Sequence, residues 1–458
     1  MVNYAPPAAS GGINESTSEA HISPDHRPTG PQDFEVTEQF REILDLLSLE
    51  KPPVLFVTGS AGTGKSTLIE VLRHELDRNI VVLAPTGVAA LNVRGQTIHS
   101  FFQLAPGPQP TARKLHGAAR DVVAKMDILV IDEVSMVRAD LLDAIDDSLR
   151  RNSGKPAVPF GGKTVVLIGD MHQLPPVIAG GEEARLFEES YESPYFFSAY
   201  CMQSLPLVTR TLTQSFRQTD KHFVGILNDL RVGQNLPTAV AMLNELVNES
   251  PDDESMLILT SINARARRFN EQQLDALSGD TWCYTGEAEG EWMDSESQLP
   301  SPSELRLKRN AQVMFTKNGL EWVNGTIGRV VDLDDGAIEV ELLSEPHRGL
   351  NVVVERESWE RYRYKWDENR GRVNSEVIGS YTQFPFILAW AVTVHKAQGL
   401  TLNRIRIDLG RGMFAPGQAY VALSRCRTLE GISFNRPLSI ADVKCDPAIQ
   451  LFYADIDR

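Results

Sequence analysis

The stretch Val54-Leu55-Phe56-Val57-Thr58, running straight into Gly59-Ser60-Ala61-Gly62-Thr63-Gly64-Lys65-Ser66, constrains the fold of this chain more than any other. Pro52-Pro53 opens a short apolar run rich in β-branched residues, which predicts a buried parallel strand. Gly59 to Ser66 fits G-x-x-x-x-G-K-[ST], and Leu68, Ile69, Leu72 and Leu76 follow at helical spacing. Glycines let backbone N–H groups turn toward phosphate oxygens, and the helix N-terminus adds partial positive charge. Lys65 can reach the β- and γ-phosphates of a nucleotide, and Ser66 can hold Mg²⁺. Ala61, Gly62, Thr63, Gly64 and Thr67 complete the expected cradle. The stretch is read as a nucleotide-binding site.

At 458 residues the chain has room for about three domains. No apolar run approaches the roughly 20 residues of a membrane-spanning helix, so no membrane partner is expected. The N-terminus lacks the basic-then-apolar pattern of a signal peptide, which makes an intracellular protein the expectation. Cys201, Cys283, Cys426 and Cys445 lack C-x-x-C spacing and read as reduced thiols. A net charge of −16 argues against a protein that holds nucleic acid by bulk electrostatics. It leaves open a groove that grips one strand by local cations, hydrogen bonds and stacking.

Residues 1–33, rich in Pro, Gly, Ser, Asn and His, are expected to form a disordered tail. A helical pattern begins near Phe34, with Phe40, Ile43, Leu44 and Leu47 on one face. Gln39 at its head could read an adenine edge through its amide, or could face solvent. Ile80 to Ala84 predicts a second strand, followed by Pro85-Thr86-Gly87. In Thr97-Ile98-His99-Ser100-Phe101-Phe102 the hydroxyls and imidazole could meet phosphates and a ring could stack under a base. The same residues could equally form a polar strand-to-helix junction over two core phenylalanines. Residues 103–125 form an excursion carrying Arg113, Lys114, His116, Arg120 and Lys125, which is either a solvated helix face or a duplex-facing element.

Ile128 to Ile131 runs into Asp132-Glu133, an apolar strand ending in two acids. Coupled to the phosphate loop, that pair reads as the second half of an ATPase site. Asp132 would hold Mg²⁺ through water, and Glu133 would polarise the attacking water. Val165 to Ile168 predicts the next strand, ending in Gly169-Asp170 and Gln173-Leu174-Pro175-Pro176. Its C-terminal end belongs beside the phosphates, where Gln173 could sense the γ-phosphate.

The second half repeats the strand-turn-helix logic at Met256 to Thr260 without a phosphate loop. Residues 279–305 are polar and acidic and are expected to form a surface excursion. From Ala311 short alternating strands with tight turns take over, and a buried strand resumes at Phe386.

Taken together, these motifs resemble a superfamily-one DNA helicase of the Pif/RecD type, on the Pif side. They stand in family order: Glu38-Gln39; Gly59 to Ser66; Ala84 to Ala90 with Thr97-Ile98-His99; Asp132 to Met136; Gly169 to Pro176; Gln214 to Gln218; Trp390 to Gly399; Ala419 to Arg425. The resemblance covers nearly everything after the tail. It implies an α/β fold of two RecA-like P-loop cores, with a small SH3-like β-barrel inserted in the second core. The expected boundaries are 34–206 for core 1, with 103–125 as a strand-separating subdomain. Core 2 would take 207–318 and 384–458, with the barrel at 319–383.

The activity so implied is ATP- and Mg²⁺-dependent 5′-to-3′ translocation on single-stranded DNA and unwinding at single-strand/duplex junctions, by a monomer when DNA is absent. The alternatives are an RNA helicase or a non-motor ATPase subunit. By resemblance, Arg217 and Arg425 match arginine fingers, and Gln173 and Gly399 match positions near the γ-phosphate. Thr86, His99, Phe101, Thr393, His395 and Lys396 fall in segments that line the DNA groove. The implied location is the cytoplasm or nucleoid in a bacterium, and the nucleus or mitochondrion in a eukaryote.

Overall fold

The computed structural model describes residues 36–49, 52–178, 180–218, 220–246, 256–292, 299–410, 412–413 and 415–456. The chain divides into two units, Met1–Val36 and Thr37–Arg458, and the fold below is that of the second. The expected tail lies outside the described residues.

The run after Pro53 forms the strand Val54–Gly59, and all six of its residues are buried. Burial on both faces follows from its place inside a six-stranded parallel sheet covered by helices. The order is Gln96–Thr97, Ile80–Ala84, Ile128–Ile131, Thr164–Ile168, Val54–Gly59, Leu207–Leu212. The last of these moves a boundary. Leu207–Leu212, expected in the second core, pairs with Val54–Gly59 along its whole length and belongs to the first sheet. Its leucines and valine at 207, 208 and 212 satisfy an inner sheet edge as readily as a new core, so pattern alone could not assign it.

The second core holds a four-stranded parallel sheet, ordered Ala391–Thr393, Leu257–Thr260, Ile405–Asp408, Ile432–Phe434. Between its first and second strands in sequence, the chain builds an all-antiparallel region. Five strands, Gln312–Phe315, Ile327–Leu333, Ala337–Leu342, Asn351–Glu355 and Phe386–Leu388, make one sheet around Val313, Phe315, Val330, Ile338, Val340 and Phe386. The alternation of buried and half-buried residues in Ala337–Leu342 is the period-two signal the sequence carries. The segment expected as a bare surface excursion contributes the strands Trp282–Thr285, Glu287–Gly290 and Glu304–Leu307. Glu287–Gly290 has all four residues exposed, so no hydrophobic pattern announces it.

The long hairpin of Glu357–Asp367 and Arg372–Gln383 reaches the first sheet. Because Gln96–Thr97 is only two residues long, it leaves Val82 at an open sheet edge. Tyr364 fills the gap: its hydroxyl accepts from the Val82 N–H (3.0 Å) and faces the Val82 carbonyl (3.3 Å), while its own N–H donates to Gln96 Oε1. A second tie runs from the chain's last helix, Pro447–Ile456. It packs Phe452 on Phe56, Phe196 and Phe197 of the first core, and Tyr453 on His172. That helix, expected as part of core 2, therefore buries its aromatic face against core 1.

Candidate functional site

The phosphate loop folds as its glycines require. Gly62 and Gly64 both take φ of +83°, the left-handed region, and Gly64 caps the helix Lys65–Glu75. A Cβ on Gly62 would lie 2.5 Å from the Cβ of Arg217, so the loop and the Gln214–Gln218 segment touch backbone to side chain. The Phe216 N–H donates to the Gly62 carbonyl at 2.8 Å. Lys65 Nζ donates to the carbonyls of Gly59 and Ser60, 2.9 Å each. Burial lowers the Lys65 pKa, opposed by Asp170, Glu133 and Asp132. The Ser66 and Thr67 side chains lie in the first helical turn, Ser66 exposed, while Thr63 Oγ1 donates to the Ser60 carbonyl.

Asp132 and Glu133 stand at the C-terminal end of Ile128–Ile131, beside the loop. Burial, and then the Glu133 charge, push the Asp132 carboxyl up to about 7. Asp132 has no ion pair among the described residues, and no cluster of three or more metal-ligating side chains occurs among them. A buried carboxyl whose charge Lys65 offsets only in part, with the exposed Ser66 at the head of Lys65–Glu75, suits Mg²⁺, which takes few protein ligands and completes its shell with water and phosphate oxygens. Glu133 holds a left-handed backbone (φ 49°), which turns its side chain off the strand line. Burial raises its pKa while Lys65 and Arg425 lower it.

The second core closes over this pair. Gln398 Nε2 donates to Glu133 Oε2 at 3.0 Å and to Gln173 Oε1 at 3.3 Å, bridging both acceptors from the far wall. Arg217 Nη2 donates to the Gly399 carbonyl (3.0 Å) and Nη1 to the Ser424 carbonyl (3.4 Å). Arg425 is 1% exposed; its Nε donates to the Val421 carbonyl and Nη2 to Ser424 Oγ. Burial and the nearby Arg217 pull its pKa down, and Glu133 acts in the opposite sense. Lys65, Asp132, Glu133, Gln173, Arg217, Gly399 and Arg425 are thus linked at one place where residues of the two cores meet.

Gln39, at the head of Glu38–Leu49, has partners within the protein. Its Nε2 donates to the Thr211 carbonyl and Thr213 Oγ1, and its Oε1 accepts from the Thr213 N–H. The amide clamps the end of Leu207–Leu212, with both its oxygen and its nitrogen engaged.

Of the residues expected along a DNA groove, Thr86, His395 and Lys396 are exposed and His99 is half-buried. Thr86 Oγ1 also caps the Gly87–Asn92 helix by accepting from the Ala89 N–H. Thr393 is buried, and its hydroxyl accepts from the Lys396 N–H. Phe101 is a correction: at 4% exposure, packed edge-on against Phe102 and Tyr364, its ring has no free face for a base. Of the two readings the sequence left open, core packing holds for Phe101. In the 103–125 excursion, Arg113, Lys114, His116 and Arg120 are exposed around buried Ala112, Leu115, Val122 and Val123.

Sequence reasoning missed Gln398 as a site residue, along with Asp170, Arg231 and Tyr420. Arg231 Nε and Nη2 grip Asp170 at 2.9–3.2 Å across the core boundary. Gln398 and Tyr420 lie inside the motif segments Trp390 to Gly399 and Ala419 to Arg425, and Asp170 is the acid at the end of a buried strand, so each carried a signal that was not read as a site. Arg231 lies in the ordinary amphipathic helix Lys221–Val232.

Residues 34–239 match the family model described as PIF1-like helicase. The chain is 33% identical to the ATP-dependent DNA helicase Pif1 of Bdellovibrio bacteriovorus, over 93% of each chain. It is 33% identical to the ATP-dependent DNA helicase PIF1 of Emericella nidulans, covering 89% of this chain and 61% of that one. The chain therefore spans about three-fifths of the length of that fungal relative. Among solved structures, Bacteroides sp Pif1 in complex with ADP-AlF4 overlays with a TM-score of 0.84 at 35% identity, covering 93% and 98% of the two chains. Bacteroides Pif1 bound to ssDNA overlays at 0.66, with 35% identity and coverages of 92% and 97%.

Proposed function

The chain belongs to the PIF1-like helicase family, and from that premise we propose that it is an ATP-dependent DNA helicase moving 5′ to 3′ on single-stranded DNA. The observation that carries this reading is the joint built at Glu133. Gln398, Arg217 and Arg425 come from far along the chain and converge on an acid at the end of a first-core strand. A site so divided is complete only when the two cores are together, so turnover and core movement are coupled.

When bound, ATP with Mg²⁺ supplies the transferable phosphoryl group and a counter-charge for its oxygens. Lys65 would exchange its bonds to the Gly59 and Ser60 carbonyls for phosphate oxygens. Ser66 and Asp132 would hold the cation. Glu133, its carboxylate oriented by Gln398, would take a proton from the attacking water, and Gln173 shares the same Gln398 amide. Arg217 and Arg425 would act on charge that develops only in the transition state. Gly399, whose carbonyl holds Arg217, would transmit their position to the adjoining Thr393, His395 and Lys396 segment. That segment, with Thr86 and His99, would contact the DNA backbone. The relatives' names and the ssDNA-bound Bacteroides Pif1 support DNA as the polymer.

The test is ATP hydrolysis measured with single-stranded DNA and with single-stranded RNA of the same sequence. Strong stimulation by DNA is expected. Stimulation by RNA alone would overturn the DNA assignment, and none by either would overturn the motor.

A further inference from the structure

A tyrosine hydroxyl joins the two cores at the phosphate loop itself. Tyr420 lies inside the Gln418–Leu423 helix, five residues before Arg425, and is 2% exposed. Its hydroxyl accepts from the Ala61 N–H at 2.9 Å and donates to Asp170 Oδ2 at 3.1 Å. One phenol thus touches the loop that follows Val54–Gly59 and the acid that follows Thr164–Ile168. Asp170 is itself fixed: Arg231 of the second core grips it with Nε and Nη2, and the His172 N–H donates to its Oδ1 at 3.2 Å. The start of the same helix is pressed onto core 1. Gly417 has φ of 74°, and a Cβ there would fall 2.4 Å from the Gln173 carbonyl oxygen and 2.5 Å from that of His172. The helix can approach this closely only with glycine at 417, and the hydroxyl then fixes how it sits.

A phenol suits this task. Its ring is rigid beyond two torsions, and its oxygen can accept from one partner while donating to another along defined directions. Both capacities are used, and both partners belong to the opposite core. The phenol therefore measures the distance between the Gln418–Leu423 helix and the phosphate loop. Arg425 follows that helix directly and is bonded back to Val421 and Ser424, so it moves as one body with Tyr420.

We propose that Tyr420 is a positioning residue for nucleotide hydrolysis, setting the register of the Gln418–Leu423 helix on the phosphate loop and hence the place of Arg425 beside Glu133. Asp170 and Arg231 are the anchor that holds its hydroxyl. The proposal rests on the ATPase reading above, and extends it to a residue that need touch neither nucleotide nor DNA.

Tyr420→Phe fills the same space and removes one oxygen. The assay is DNA-stimulated ATP hydrolysis by the full chain, with kcat and KM separated, in native and Arg425→Lys backgrounds. In the native background kcat is expected to fall about tenfold with KM for ATP within about threefold. In the Arg425→Lys background the same change is expected to lower kcat by less than about twofold, because its effect passes through that guanidinium. Arg231→Lys, which keeps charge but loses the two-pronged grip, is expected to follow the same pattern and decides the matter should Tyr420→Phe fail to fold. A kcat unchanged by Tyr420→Phe overturns the proposal. So does an equal loss in both backgrounds, or a lower melting temperature with no loss of kcat. A native chain that hydrolyses no ATP with DNA present overturns instead the ATPase reading beneath it.

Discussion

Among the described residues, replacing Gln398 with leucine removes the one side-chain hydrogen-bond donor that the second core gives to Glu133. The bond it removes is 3.0 Å long, from an amide N–H to a carboxylate oxygen. A hydrogen bond to a charged group contributes about 1.5–3 kcal/mol, and because Gln398 is only half-buried the lower end applies. At about 1.4 kcal/mol per factor of ten, that predicts roughly a tenfold fall in the turnover rate. Gln173 loses its shared partner in the same substitution, so the fall should not be smaller. Nucleotide affinity should change little, since Lys65 and the loop N–H groups lie on the other wall. Phosphate release in the presence of single-stranded DNA gives kcat, and a fluorescent ADP analogue gives binding. A kcat within about twofold of the native value, or a loss confined to KM, would refute the proposal that Gln398 orients Glu133 as the base.

Lys65→Ala should abolish ATP hydrolysis and unwinding together, with a loss of about a hundredfold or more in kcat; unwinding that survives would contradict the site. Phe101→Ala should destabilise the first core by about 3–5 kcal/mol, read as a lower denaturant midpoint, whereas a stacking residue would weaken DNA binding at unchanged stability. Tyr364→Phe should strip the Val82 N–H and carbonyl of their partner and cost about 1–3 kcal/mol, with a thermal melt as the readout and no change as the contrary result. His99 is held below the ordinary imidazole pKa, first by burial and then by Arg138. The unfolded chain therefore binds the extra proton, so His99 contributes stability present above about pH 6.5 and lost as pH falls below it. His99→Gln should flatten the dependence of melting temperature on pH between about 7 and 5.5, and an unaltered slope would contradict the assignment.

Local signals were legible where chemistry demands a fixed spacing. The loop from Gly59 to Ser66 needs its glycines for backbone shape, and the pair Asp132-Glu133 is placed by a strand whose four residues are all buried. Both could be read from a dozen residues each. Contacts between distant segments left no such trace. Gln398 meets Glu133 across 265 positions and Tyr420 meets Asp170 across 250; both lie inside motif segments, but residue order there does not say which side chain crosses to the other core. Phe101 misled because an aromatic after a polar turn looks the same whether its ring faces a groove or a core. Leu207–Leu212 and the closing helix Pro447–Ile456 misled for a related reason: a hydrophobic face specifies burial without specifying the partner. Glu287–Gly290 was invisible because a strand held by backbone bonds to Thr382–Gly379 needs no apolar side chains.

Strand displacement is the most direct measure of a motor. A duplex carrying a single-stranded tail on one end only, 5′ or 3′, is incubated with the full chain, ATP and Mg²⁺, and release of the shorter strand is followed. Release from the 5′-tailed duplex, absent without ATP and absent with Lys65→Ala, is the predicted result. No release from either duplex while DNA-stimulated hydrolysis proceeds normally, or release that persists without ATP, would contradict a motor driven by the joint at Glu133.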